Sequence, residues 1–273
     1  MSDKNTELLA FAKDVAKEAG AILLKYFDIS PGVLDVQLKQ DSSPATIADR
    51  EVNQLVIDRV AAAFPDHGVL AEEGSVDAHR KQLWVCDPLD GTKTYIIRIP
   101  TALFSLAFVV DGQPEVAVIN DPFQAKIFSA VRGRGAWAND QPIHVSTHEN
   151  LQGAKIAVSS SYPDMQKRRQ LFDDFVAHND VKIVVESGNV FKSTLVASGH
   201  VDGYIFPGRS AHDMAAAKLI IEEAGGKVTD LRGDEQRYDS SIFGAIVTNN
   251  NGDIHDEIVR LINEFGVDSY VGH

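Results

Sequence analysis

The chain has 273 residues, 26 Lys and Arg against 39 Asp and Glu, and a formal net charge of −13. This length allows one large domain or two lobes with a substantial core, and 44% hydrophobic with 24% charged residues is a globular composition that excludes wholesale disorder. A chain this acidic is a poor general binder of nucleic-acid polymers or anionic membranes, so an anionic substrate would have to be met through cations, with metal ions the obvious candidate.

The first residues are polar and lack the apolar core of a secretory signal. Leu8, Phe11, Ala12, Val15, Ala19, Ile22, Leu23 and Tyr26 then recur at helical spacing until Pro31-Gly32 breaks the pattern. Thr46-Ile47-Ala48-Asp49 reads as a capping box with Asp in the Glu/Gln role, and Val52, Leu55, Val56 and Val60 carry that helix to about Phe64. Strand signals come next at residues 69–71, and at 83–86, where Asp87-Pro88 is expected to stop the strand. The lone Cys86 excludes an internal disulfide and a Cys-based zinc site, and fits a reducing cytoplasm. Residues 103–110 predict a buried strand, too short to span a bilayer. Asp111-Gly112-Gln113-Pro114 turns it into residues 115–120, and 127–131 come before the turn-rich Arg132-Gly133-Arg134-Gly135.

The second half predicts strands at 155–159, 182–186 and 243–247 and helices at 165–178, 190–198, 214–224 and 254–265, with Gly225-Gly226 ending the third of these helices. Strands and helices come in blocks, which favours a layered α+β architecture over a barrel or a Rossmann sheet. Polar composition near residues 148–153 predicts a boundary between an N-terminal α+β lobe, 1–150, and a C-terminal α/β lobe, 151–273.

Chemistry concentrates in Asp87-Pro88-Leu89-Asp90-Gly91-Thr92, directly after an apolar strand. Two carboxylates emerge where the strand ends. Pro88 stiffens the turn, and Gly91 permits close backbone approach or a positive φ. A helix starting near Thr92 would offer free N–H groups to a phosphate. Bare D-x-x-D is more often an acidic surface turn, but the full string after a strand argues for more. Glu72-Glu73 succeed another strand-like run, where a solvated strand end is the plainer reading. Asp49 and Asp213 open helices, where each could simply complement the helix dipole. His212, beside Asp213, reads as packing rather than as a ligand. Together Glu72, Asp87, Asp90 and Asp213 are hard oxygen donors without Cys partners, which suits Mg²⁺ or Mn²⁺ rather than zinc. Two such ions can activate a water and stabilise the leaving oxygen of an in-line displacement.

Four blocks resemble the inositol monophosphatase superfamily of Mg²⁺-dependent, lithium-sensitive phosphatases, in that family's order: residues 39–49 (KQDSSPATIAD), 70–74 (LAEEG), 84–92 (WVCDPLDGT) and 211–226 (AHDMAAAKLIIEEAGG). The resemblance covers about residues 7–265, and DPLDGT is its most specific part. It implies a layered α/β/α/β/α sandwich, usually a homodimer, and two or three Mg²⁺ ions. By resemblance, Glu72, Asp87 and the Leu89 carbonyl hold one ion. Asp87, Asp90 and Asp213 hold a second, and Glu72 helps with a third. Thr92 and Glu72 position the attacking water, Asp49 supports Thr92, and the Gly91 and Thr92 amides hold phosphate. The implied activity is hydrolysis of a small polyol, sugar or nucleotide phosphate.

Two departures bear on substrate. The family usually has Trp where this chain has His212, and inositol-specific members carry a sugar-binding Glu where it has Phe206. Residues 39–49, Lys93 and Lys192 resemble bacterial 3′(2′),5′-bisphosphate nucleotidases, where a lysine near a second phosphate makes electrostatic sense; a solvent-exposed helix lysine is the alternative. Asn189, Lys192, Phe206 and Arg209 are the candidate substrate contacts. Histidinol-phosphatase and fructose-1,6-bisphosphatase activities share the same metal blocks. A non-catalytic metal- or phosphate-binding regulator would be expected to lack a metal acid or Thr92, and both are present. No G-x-S-x-G elbow supports a serine hydrolase.

Overall fold

The expected N-terminal helix is α1 (Ser2–Phe27) in the computed structural model, which describes residues 2–29, 34–39, 43–158, 182–185 and 188–265. Leu8, Ala12, Val15, Ala19 and Leu23 are all buried along one stripe. A short hairpin, β1 (Gln37–Leu38) with β2 (Pro44–Ala45), leads into α2 (Ile47–Ala63). The capping box forms as expected. The Ala48 amide donates to Thr46 Oγ1 at 3.1 Å, and Asp49 Oδ2 accepts from the Thr46 amide at 2.7 Å.

Next comes a seven-stranded sheet, in the order β3 (Gly68–Ala71), β4 (Gln82–Asp90), β5 (Leu103–Val110), β6 (Gln113–Asp121), β7 (Lys126–Val131), β8 (Ala136–Ala138), β9 (Gln141–Pro142). Only β3–β4 is parallel. Contrary to the sequence expectation, β4 does not stop at Asp87-Pro88 but runs on to Asp90, with its register against β5 shifting between Asp87 and Asp90. That irregularity absorbs the N–H that Pro88 lacks, so the strand survives its proline. The five-residue helix α3 (Thr92–Ile96) starts directly behind it.

The second sheet has the order β11 (Lys182–Val185), β10 (Lys155–Val158), β12 (Gly203–Phe206), β14 (Ala245–Thr248), β13 (Lys227–Thr229). Among the described residues three helices accompany it: α4 (Asn189–Ala197), α5 (Ala211–Glu223) and α6 (Ile254–Phe265). α5 begins three residues before the expected 214, because Ser210 is extended and His212 and Asp213 already belong to its first turn. The helix expected at 165–178 lies outside the described residues. No helix among the described residues is long and apolar enough to cross a membrane.

Three apolar cores stack the elements into α/β/α/β/α layers. Trp84, Cys86, Phe104, Leu106 and Phe108 face α1 and α2 on one side of the first sheet. Leu83, Val85, Leu103, Ala107 and Val109 face the opposite way, onto Met214, Leu219 and Ile220 of α5 and Val190 and Val196 of α4. Ile205 and Ile246 carry the second sheet onto Ile254, Ile258 and Ile262 of α6. Fully burying each such aliphatic side chain contributes roughly 1.5–3 kcal/mol before entropy is counted. Alternation along β4 also sets the direction of its terminal acid. Leu83 and Val85 point toward the α4/α5 layer, so Asp87, two residues on, continues that face into the layer.

Candidate metal and phosphate site

Asp87 and Asp90 end β4, and Asp213 sits in the first turn of α5. One carboxylate oxygen from each lies within 4.8 Å of the others. The exposures of Asp87 and Asp90 are 2% and 4%. Two charges 4 Å apart repel by about 4 kcal/mol at the effective dielectric near a protein surface. Something must offset that repulsion, and part of it comes from backbone donors. Asp90 Oδ1 accepts from the Asn189 amide at 2.6 Å, and its Oδ2 accepts from the Phe191 amide at 3.0 Å, both in the first turn of α4. The side-chain amide of Asn189 donates to Asp213 Oδ1 at 3.1 Å and accepts from the Tyr204 hydroxyl at 2.7 Å. Asp87 Oδ1 takes the Leu89 amide at 3.0 Å.

These donors do not suffice to keep the acids at ordinary acidity. Burial, with repulsion from Glu72, Asp90 and Asp213, pushes the Asp87 carboxyl well above the usual carboxylate range. Burial and Asp213 push Asp90 up to about 7, against the pull of the Phe191 and Asn189 amides. Asp213 is raised by burial too, with His212 opposing. Each of these shifts favours the protonated carboxyl, and a divalent ion would compete with those protons.

Asp49 stands beside the trio. It is 1% exposed, and the Thr92 hydroxyl lies 3.2 Å from its Oδ1 and 3.1 Å from the Leu89 carbonyl. A hydroxyl has one proton, so it donates to one of these acceptors at a time. Burial raises the Asp49 carboxyl to about 6, with the Thr46 hydrogen bonds pulling it back down. Gly91, between Asp90 and Thr92, has φ +90°, which only glycine adopts without strain, and it caps α3. Glu72 directly succeeds β3, but its Oε1 is held by Lys39 Nζ at 2.5 Å, and the same ammonium meets Glu73. The acids that cluster tightly are therefore Asp87, Asp90 and Asp213, with Glu72 close by and bound to a lysine.

The donor set fits a hard divalent cation. All of it is oxygen, with Asp87 and Asp90 buried and Asp213 half-buried, and it is charged beyond what the local hydrogen bonds neutralise. A second observation agrees. Ser105 is 1% exposed, its Oγ has no hydrogen-bond partner among the described residues, and it lies directly across the β4–β5 ladder from Asp87. Directly opposed residues share a face of the sheet. An unmatched hydroxyl beneath the acids is costly unless the site holds something more than these side chains.

The candidate substrate residues separate by burial. Asn189 belongs to the hydrogen-bonded shell of Asp213. Lys192 is 1% exposed, with Nζ 5.1 Å from the centroid of the Tyr204 ring, so it is not a solvent-facing helix lysine. Phe206 is likewise buried, against Tyr204, while Arg209 is exposed. His212 is half-buried, with Nε2 4.0 Å from Asp213 Oδ2. Sequence reasoning missed Ser105, Tyr204 and the two α4 amides. The Gly188-Asn189 pair ahead of an apolar helix was the available signal for those amides.

The sequence model of the Inositol monophosphatase family matches residues 4–266. A Nus factor SuhB of Xylella fastidiosa is 32% identical over 236 residues, covering 82% of each chain. A fructose-1,6-bisphosphatase/inositol-1-monophosphatase of Thermotoga maritima is 31% identical, covering 80% of this chain and 82% of its own. Among solved structures, the inositol monophosphatase of Anabaena superposes with a TM-score of 0.79 at 29% identity, covering 95% of this chain and 96% of that one. A match over nearly the whole length, with the fold to go with it, means that the chain belongs to the inositol monophosphatase family.

Proposed function

We propose that the protein is a Mg²⁺-dependent phosphomonoesterase acting on a small phosphorylated polyol, sugar or nucleotide. The observation that carries the reading is the convergence of Asp87 and Asp90 from β4 with Asp213 from α5 in one buried oxygen cluster. Asp87, Asp90 and Asp213, with Glu72 and the Leu89 carbonyl, would hold Mg²⁺, for which Mn²⁺ would substitute. Bound there, the ion supplies a water of lowered pKa and neutralises charge on the leaving oxygen.

The chain's own residues do the rest. When Thr92 donates its proton to Asp49, the lone pairs on its oxygen are left to accept from a water and orient it. Asp49, pushed up to about 6, is still ionised at neutral pH and can accept that hydrogen bond. Glu72 is the second acceptor for the water once its bond to Lys39 is exchanged. The amides of Gly91 and Thr92 hold the phosphate, where the missing Cβ of Gly91 leaves room for close approach. Assembly as a homodimer and inhibition by lithium belong to the same proposal.

Phe206 in place of a carboxylate favours a substrate that does not need its sugar hydroxyls bound at that position. A 3′(2′),5′-bisphosphate nucleotide is therefore the foremost alternative to an inositol phosphate. A regulator without catalysis is disfavoured by the complete set of acids and Thr92. The test is phosphate release with Mg²⁺ from inositol 1-phosphate, 3′-phosphoadenosine 5′-phosphate, histidinol phosphate and fructose 1,6-bisphosphate, side by side. One clear preference identifies the substrate class. Release from none of them, with Mg²⁺ or Mn²⁺, refutes the phosphatase reading.

A further inference from the structure

We infer that Tyr95 and Arg98 are positioning residues: they clamp the short helix α3 to the C-terminal end of α1, and the clamp aims Gly91 and Thr92 at the substrate's phosphate. The inference rests on the proposed function, in which Gly91 and Thr92 hold the phosphate and Thr92 orients the water.

α3 cannot fix its own direction. It has five residues, and Gly91 at its N-terminus has no side chain to cap it. A helix this short gains too little from its own hydrogen bonds to stand alone. Its direction has to come from neighbours, and Tyr95 is its one buried residue. The Tyr95 hydroxyl donates to the Leu23 carbonyl at 2.6 Å, across 72 residues of sequence. Its ring packs on Phe27, with centroids 5.3 Å apart.

Arg98 supplies the second anchor. Its amide donates to the Tyr95 carbonyl at 3.1 Å, and the Ile99 amide donates to the Thr94 carbonyl at 2.9 Å. These are the two bonds of a Schellman ending, in which the residue past the cap is left-handed and usually glycine. Arg98 occupies that place with φ +67°, where a residue with a Cβ is strained. The side chain supplies the compensation. One guanidinium nitrogen donates to the Tyr26 carbonyl at 3.2 Å, another donates to the Ile29 carbonyl, and the group lies 5.6 Å from the Phe27 ring centroid. A helix C-terminus leaves carbonyls without helical partners and favours a cation beside them. Arg98 thus ends α3 with its backbone and caps α1 with its side chain. Glycine would end α3 with less strain and cap nothing.

The first residue of α3 is Thr92, whose hydroxyl lies 3.2 Å from Asp49 Oδ1 and 3.1 Å from the Leu89 carbonyl. Tilting so short a helix moves that hydroxyl and the neighbouring amides together. Asp87, Asp90 and Asp213 are held by other groups, the Leu89 amide and the first turn of α4. Loss of the clamp therefore weakens phosphate binding and spares the metal, a separation that general destabilisation would not produce.

The experiment is calorimetric titration of inorganic phosphate into Mg²⁺-saturated full-length protein, and of Mg²⁺ into metal-free protein, for wild type, Tyr95→Phe and Arg98→Gly. Hydrogen exchange at the Tyr95 and Ile99 amides is followed in parallel. Each variant is expected to bind phosphate about fivefold more weakly, as befits the loss of one hydrogen bond. Each should bind Mg²⁺ as wild type does and exchange its α3 amides faster. Unchanged phosphate affinity in the two folded variants overturns the inference, as does a loss of Mg²⁺ affinity equal to the loss for phosphate. Wild-type phosphate affinity in Arg98→Gly alone would show that position 98 only ends the helix, and would overturn its part in the clamp. Failure of Mg²⁺-loaded wild type to bind phosphate would instead sink the proposed function. The clamp is then judged on exchange, where faster α3 amides in both variants support it and unaltered ones overturn it.

Discussion

Substituting Gly188 by alanine should damage the metal site through a single misplaced methyl group. Gly188 precedes α4 with φ +71° and ψ 129°, a conformation that costs a residue with a side chain about 1–3 kcal/mol. An added Cβ would lie 2.6 Å from Asp90 Oδ2 and 3.3 Å from Phe191 Cβ. Ordinary contact begins near 3.4 Å, so the Asp90 carboxylate has to retreat by about 0.8 Å. It cannot do so and keep both of its hydrogen bonds, at 2.6 and 3.0 Å, to the α4 amides. Losing one charge-assisted bond costs roughly 1.5–3 kcal/mol. Thermal melts should therefore show Gly188→Ala several degrees below wild type, at roughly 2–4 °C per kcal/mol for a chain of this class. Mg²⁺ affinity and kcat/KM should fall at least tenfold, since about 1.4 kcal/mol is a factor of ten. Gly153→Ala is the control. That glycine has φ +73° and nothing among the described residues within 4 Å of an added Cβ, so a side chain there brings backbone strain without a collision. Gly153→Ala should lose stability and leave Mg²⁺ binding unchanged. A folded Gly188→Ala protein with wild-type Mg²⁺ affinity and turnover would refute the claim that the α4 amides fix Asp90.

Three further outcomes are expected. Asp90→Asn keeps the side-chain shape and removes one metal charge, so phosphate release should drop by orders of magnitude while circular dichroism stays that of wild type; near wild-type turnover would contradict its role. In the metal-free protein Asp90 has its carboxyl pKa raised from 3.8 to about 7, so the protonated acid is the form the fold prefers; relative to Asp90→Asn, the wild-type melting temperature should fall as pH rises through that window and recover on adding Mg²⁺. His255 has the opposite sign: burial, with Lys227 assisting, lowers its pKa from 6.5 to about 4, so roughly 3 kcal/mol of stability should be lost as pH falls through that range, and His255→Gln should flatten this acid limb. Its neutral ring is specified by proton count. The Thr229 hydroxyl donates to the Asp230 carbonyl, so His255 donates from Nε2 to Thr229 and accepts at Nδ1 from Thr248.

Local signals in the sequence foretold local structure. The capping box at Thr46 and Asp49 formed because its partners are three residues apart, and the 103–110 strand formed because both of its faces are buried. The true end of β4 is not legible at Asp87, because a proline inside a strand is ordinarily a stop, and only the pairing with β5 reveals the register shift that tolerates it. Strands of two to three residues, such as β8, β9 and β13, carry no readable period and exist because a neighbour supplies their hydrogen bonds. The four acids are visible as residue types, but their meeting is not. The amides that hold Asp90 come from 99 and 101 residues away, and a backbone N–H has no signature in a sequence.

One physical arrangement underlies the whole cluster. Asp49 lies in the first turn of α2, Asp213 in the first turn of α5, and Asp90 accepts from the first turn of α4. Three helices thus turn their positive ends toward the same group of carboxylates. Each helix end offers partial positive charge and free N–H donors, which is what a buried anion needs in the absence of a full counter-charge. The offset is incomplete, because Asp87 and Asp90 remain far less acidic than a free carboxyl. That remainder is what a divalent cation would remove. A cluster fully neutralised by helix ends would gain little from binding metal, and one with no helix ends would not fold without it. The intermediate balance leaves a site assembled before metal arrives and still anionic enough to bind it.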